Sequence, residues 1–136
     1  MMSDLIRRNL IAALCCMFAL SLMGCAKSPE LLSVSGKPIE FWLDALNAPN
    51  TDAKQRLKAV RALSNVGSAH PKAIPALIEA LEQTDAAVRG EVVLALLKIG
   101  PAAKEALAAL ERISESDKDT KIRDFAKEAI KAIRGR

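Results

Sequence analysis

Three arginines recur at an almost even interval. Arg56, Arg89 and Arg123 are separated by 33 and 34 residues. A ladder of guanidinium groups can bind phosphates or carboxylates in bidentate fashion. The same recurrence fits a structural duty. Each arginine would then pair with the aspartate at the start of its own helix (Asp52, Asp85, Asp119) or with carbonyls left free between repeats. The interval is that of the repeat itself, so the structural reading is favoured. His70, the only histidine, stands before Pro71 in the turn Ser68-Ala-His-Pro71. Histidine can act as a general base, but no nucleophile has a recognisable context, so no catalytic residue is assigned. One histidine without a cysteine nearby does not make a metal site. The cysteines are Cys15, Cys16 and Cys25. A thiolate is a nucleophile for alkylation, and the surrounding segment decides which of the three would be used.

Arg7 and Arg8 precede a 13-residue apolar run, Leu10 to Leu22, with Ser21 and Gly24 as small residues near its end. A spanning helix needs about 20 residues, whereas the apolar region of a signal peptide needs about 7–15. The closing residues, Leu22-Met23-Gly24-Cys25, resemble the lipobox of bacterial lipoproteins, although Met23 is a less usual occupant of its place. The resemblance implies cleavage between Gly24 and Cys25 and a diacylglycerol thioether on Cys25. The alternative is an uncleaved N-terminal anchor with an incidental cysteine. Two or three acyl chains would give stable anchoring where one would not. Cys15 and Cys16 would leave with the signal, and the remaining chain, 25–136, would have no free thiol. Its folding must then rest on apolar burial. Ala26 follows the cysteine. An Asp there commonly marks retention in the inner membrane, so the resemblance tilts towards the outer membrane, facing the periplasm.

The elements that must carry these residues follow from an internal repeat. TDAKQRLKAVRALSNVG (51–67) aligns with TDAAVRGEVVLALLKIG (84–100), and a degenerate copy, DTKIRDFAKEAIKAIR, covers 119–134. Val88, Val92, Ala95, Leu96 and Ile99 fall at helical spacing on one stripe. Thr84-Asp85 supplies the N-cap. Gly100 ends the helix at a position suited to left-handed geometry, and Pro101 opens the next helix. Leu107, Leu110 and Ile113 form the inner face of that partner. Ile39, Trp42, Leu43 and Leu46 match Ile74, Leu77, Ile78 and Leu81 at an offset of 35, which predicts a lone second helix capping the front. A pair of short helices cannot close a core alone, so neighbours must stack. The expected organisation is a signal peptide over 1–24, a lipidated N-terminus and flexible tether over 25–37, and a repeat domain over 38–134. The fold class is all-α, a short α-solenoid of about six helices.

The repeat domain resembles the HEAT family, in particular the short HEAT-like repeats of phycobilisome lyases. The residues that carry the resemblance are Asp85-Ala-Ala-Val-Arg89 and Leu94-Ala-Leu-Leu-Lys-Ile-Gly100. The first copy departs with Gln55 at the Val position, and the last has Arg134 in place of Gly. The resemblance implies a solenoid and does not by itself imply a chemistry.

Asp44, Glu79 and Arg112 occupy equivalent outward positions on the three second helices. In this architecture those helices usually line the concave side, so the three residues are the candidates for a partner-binding face. Trp42 lies on the apolar stripe. Phe41 lies off it, where it could cover the front edge, pack against Leu31 and Leu32, or meet a partner. Charge is segregated: residues 54–72 hold five basic groups and no acid, and residues 120–136 hold six basic and two acidic groups. Ordinary solvated helix faces explain this, and so would attraction to an anionic membrane surface or an acidic partner. Nucleic acid is not expected, because no aromatics interleave with the basic residues as stacking platforms. The expectation is a non-catalytic scaffold or adaptor of the bacterial cell envelope, held to a membrane by its lipid. It would bind an unknown protein partner and need no metal or cofactor. A lyase-like or chromophore-attachment role, by analogy with the family, and a self-associating structural protein are the alternatives.

Overall fold

The computed structural model describes residues 33–83 and 85–135. A two-stranded hairpin, β1 (Ser33–Val34) and β2 (Lys37–Pro38), leads into six α-helices among the described residues. These are α1 (Ile39–Asn47), α2 (Ala53–Val66), α3 (Ala73–Ala80), α4 (Ala86–Ile99), α5 (Leu107–Ser116) and α6 (Thr120–Arg134). They stack as a half repeat, two hairpins (α2–α3 and α4–α5) and a final half repeat. Helices α2, α4 and α6 form one row, each packed on the next, and α1, α3 and α5 form the second row.

Local sequence accounts for the boundaries. Each helix of the first row starts at an aspartate whose carboxylate accepts from a backbone amide of the first turn. Asp52 takes the amide of Gln55 at 2.7 Å, Asp85 that of Ala87 at 2.8 Å, and Asp119 that of Lys121 at 2.9 Å. These N–H groups have no partner inside the helix, so the cap side chain satisfies them. Gly67 (φ 52°, ψ −127°) and Gly100 (φ 65°, ψ −137°) close α2 and α4. A side chain at that φ clashes with the backbone, which is why the turn needs glycine. The helix expected to open at Pro101 opens as a 3-10 turn, Gly100–Ala106, that kinks at Ala103 (φ −92°, ψ 30°). Regular α geometry begins only at Leu107, because the chain must bend to lay α5 back against the row.

The buried residues follow the repeat register. Ile39, Trp42 and Leu46 of α1 are buried, as are Ile74, Leu77 and Leu81 at the matching places. Leu43 and Ile78 are each half-buried. Helix α4 lies between α2 and α6, so its buried surface is wider than one stripe. Val88, Val92, Val93, Ala95 and Leu96 are all buried.

Residues 33–37, within the expected tether, form a hairpin with Pro38. They are not free chain: Ser33 pairs with Pro38 and Val34 with Lys37, with the turn at Ser35-Gly36. The Val34 carbonyl also accepts from the Trp42 indole at 3.0 Å. A buried indole N–H needs an acceptor, and the short hairpin supplies it. Composition alone could not show this, since the acceptor is backbone.

Two glycines separate conformation from propensity. Gly100→Ala is expected to cost roughly 1–3 kcal/mol, because alanine is strained at positive φ even where space is open. Gly90, inside α4, is the converse. A Cβ there would sit 3.7 Å from the Ile122 side chain, an ordinary contact. Gly90→Ala is expected to stabilise by about 0.5–1 kcal/mol through helix propensity. Thermal unfolding of the two variants should shift in opposite directions; shifts of the same sign would refute this account.

Candidate functional site

The arginine ladder is a strut between the rows. Each guanidinium donates to a carbonyl in the loop before its helix: Arg56 to Ala48 at 3.0 Å, Arg89 to Gln83 at 3.0 Å, and Arg123 to Asp117 at 2.7 Å. These carbonyls lie just past the end of the preceding helix, where no helical amide is in register for them, and arginine provides a donor. The cap aspartates bind amides instead of arginines.

The carboxylate that does meet the ladder is Asp117, which lies between α5 and α6. Arg89 grips it in bidentate fashion, Nε to Oδ2 at 2.8 Å and Nη2 to Oδ1 at 3.1 Å. The Asp119 amide donates to it at 2.9 Å. The Asp117 side chain is only 2% exposed and that of Arg89 14%. The Arg89 hydrogen bond holds the Asp117 carboxyl below its ordinary range, against the opposing effect of burial. The same bond raises Arg89. Arg56 has no such partner: the residue matching Asp117 in the next loop is Gln83, and the buried Arg56 Nε lacks an acceptor among the described residues. Sequence reasoning missed Asp117. The available signal was a second aspartate two residues before the capping Asp119, where the other loops carry Asn50 and Gln83.

His70 is likewise structural. It is buried, and its Nδ1 accepts from the Lys72 amide at 3.2 Å. Its carbonyl accepts from Ala73 at 3.1 Å, so both groups close the turn into α3. Trp42 is core, as its register requires. Phe41 is half-buried and meets Trp42 edge to face at 5.1 Å, with the Lys37 ammonium 3.7 Å from its ring centroid.

Of the three residues expected on a partner-binding face, two come together. Asp44 and Glu79 are exposed on the rim of one groove between α1 and α3, about 410 Å³ in volume. Glu40 adds a third carboxylate, and Leu43 and Ala76 are among its apolar lining. Arg112 does not join them. It lies on α5 and pairs with Glu82 at 3.0 Å, both side chains being well exposed. Helices α1 and α3 approach one another, whereas α3 meets the following unit through α4 and the 3-10 turn before α5. That turn separates the third position from the groove. Gly24 and Cys25 lie outside the described residues, as do Leu31 and Leu32.

The two ends of the stack differ from its interior. On α4, Gly90, Val93 and Leu97 share one flank, and Gly90 abuts Ile122 of α6. At the matching places α6 carries Asp124, Lys127 and Lys131, all exposed, with Asp124 and Lys127 paired at 3.1 Å. At the front, Gln55 replaces the apolar residue that is Val88 in α4 and Ile122 in α6, and it is exposed. Both departures fall where a helix has no neighbour, as terminal repeats of a solenoid require.

Among the described residues no helix is long and apolar enough to cross a membrane. No group of three or more His, Cys, Asp or Glu side chains among them could hold a metal ion. Stacked helical hairpins with polar ends and a groove between second-row helices define a short α-solenoid. A family model for HEAT repeats matches residues 39–131, and the chain belongs to that family. No curated protein matches the chain. HEAT repeats generally mediate protein–protein interaction and are typically non-catalytic scaffolds.

Proposed function

We propose that the protein is a non-catalytic adaptor of the bacterial cell envelope, lipid-anchored through Cys25 and facing the periplasm. The outer membrane is favoured over the inner. The observation that carries the binding half is the groove between α1 and α3, where Glu40, Asp44 and Glu79 rim an opening that includes Leu43 and Ala76. An apolar strip between carboxylates suits a partner segment that alternates apolar and basic residues. The anchoring half rests on Leu22-Met23-Gly24-Cys25 and the basic, apolar segment before it. Tethering raises the effective concentration at the membrane, so a modest groove affinity suffices. The polar ends of the stack weigh against the self-associating alternative.

A photo-crosslinking residue at Glu79 should trap a specific protein in intact cells, and Asp44→Lys combined with a crosslinker at Glu79 should abolish the adduct. Equal adducts from a crosslinker at Leu94, on the first row, would refute the groove. Separately, Cys25→Ala should leave an unprocessed precursor that takes up no labelled fatty acid. Processing and labelling that persist would refute the anchor.

A further inference from the structure

We infer that the front end of the stack is a docking face for acidic phospholipid headgroups. The front is where the chain enters the domain, at Ser33. There Lys37, Lys54 and Lys58 line one open cleft of about 390 Å³ together with Phe41, Gln55 and the cap Asp52. The three lysines are exposed, and Asp52 is the one acid lining the cleft, already turned to the Gln55 amide. The far end is also basic, but there Lys127 is paired with Asp124 and Arg134 with Glu111.

The occupant follows from reach as well as charge. This inference rests on the lipid at Cys25. Only residues 26–32 then separate the acyl chains from the hairpin, and seven extended residues span at most about 25 Å. The end of the domain that the membrane meets first is the lysine-bearing one. Lysines near an anionic leaflet contribute roughly 1 kcal/mol each, a factor of about five. With Lys37 held over Phe41 by a cation–π contact, one of the three is positioned before any lipid arrives. Front-end docking would also leave the α1–α3 groove beside the bilayer rather than pressed into it.

The test uses the full chain, purified from membranes and reconstituted into vesicles of phosphatidylcholine alone or of phosphatidylcholine with phosphatidylglycerol. Lysines are acylated by a water-soluble active ester, and each site is timed by mass spectrometry. On acidic vesicles Lys37, Lys54 and Lys58 should react about fivefold more slowly than on neutral ones, with Lys118 and Lys121 unchanged. High salt should remove the protection. Lys54→Glu with Lys58→Glu should remove it from Lys37 as well, whereas Lys121→Glu with Lys131→Glu should leave it intact. Equal rates on both vesicles, or protection of the far-end lysines alone, would overturn the inference. The same spectra report the mass of the Cys25 peptide. An unlipidated peptide refutes the anchor whatever the lysine rates show, so the two failures are told apart.

Discussion

Asp117→Ala is expected to lower the unfolding free energy by roughly 3–5 kcal/mol, the cost of removing one partner from a buried ion pair. The carboxylate closes three contacts at once: two to Arg89 and one to the Asp119 amide. Its loss leaves a guanidinium that is 14% exposed without its buried counter-charge. With a total stability of about 5–15 kcal/mol for such a domain, the variant should melt more than ~10 °C lower. Arg61→Ala provides the contrast. Arg61 pairs with Glu91 at 2.7 Å, but its side chain is 66% exposed, and exposed pairs are screened by water and salt. That variant should melt close to wild type. If both variants lose the same amount, burial is not what gives the Arg89–Asp117 pair its value.

The pair also sets an acid limit. Asp117 has its carboxyl pKa lowered in the folded state, so in the acid range the unfolded chain binds the proton more readily. Its contribution is therefore complete above the ordinary carboxylate pKa of ~3.9 and is lost as pH falls below it. Denaturant titrations between neutral pH and about pH 3 should show stability falling at the acid end. In Asp117→Asn that fall should be shallower, because the titrating group is gone. An unchanged slope in Asp117→Asn would assign the acid sensitivity to other carboxylates.

Leu96→Ala is expected to cost about 2–5 kcal/mol, while Leu94→Ala, two residues away on the same helix, should stay within ~0.5 kcal/mol. Leu96 is fully buried and Leu94 is 39% exposed. Helix α4 is the middle of the first row, so a cavity there loosens its packing against α2 and α6 together. Circular dichroism in urea would give both values. A small loss at Leu96 would mean that the row closes up around the missing side chain. The same measurement on Leu94→Ala checks that its exposed side chain is not held by a partner in the monomer.

The repeat was legible because stacking makes each unit face the same demands. Asp52, Asp85 and Asp119 had to cap, Gly67 and Gly100 had to turn, and the apolar residues had to recur at helical spacing. The family was therefore readable from the motif around Asp85 and Gly100. Asp44 and Glu79, equivalent by offset, lie on one groove. Arg112 lies outside it, because the offset carries no information about how far neighbouring helices diverge. Sequence leaves the ladder arginines two kinds of partner, the cap aspartates or carbonyls between repeats, since it shows only that aspartates and arginines both recur. In the folded chain the aspartates and arginines serve different orphan groups, amides for the one and carbonyls for the other.

The sequence by itself determined the all-α class, the aspartate caps and glycine stops of the first-row helices, the apolar register and the lipobox-like segment. These depend on local spacing and on residues that act on their own backbone. Only the tertiary structure decided that Asp117, 28 residues from Arg89, is the buried counter-ion of the ladder. It alone decided that Val34 supplies the acceptor for Trp42, that Lys37, Lys54 and Lys58 share one end, and that α5 stands apart from the α1–α3 groove. Each of these joins groups from different elements. Periodicity fixes which side of a helix a residue is on, whereas packing angles and loop paths fix what that side meets.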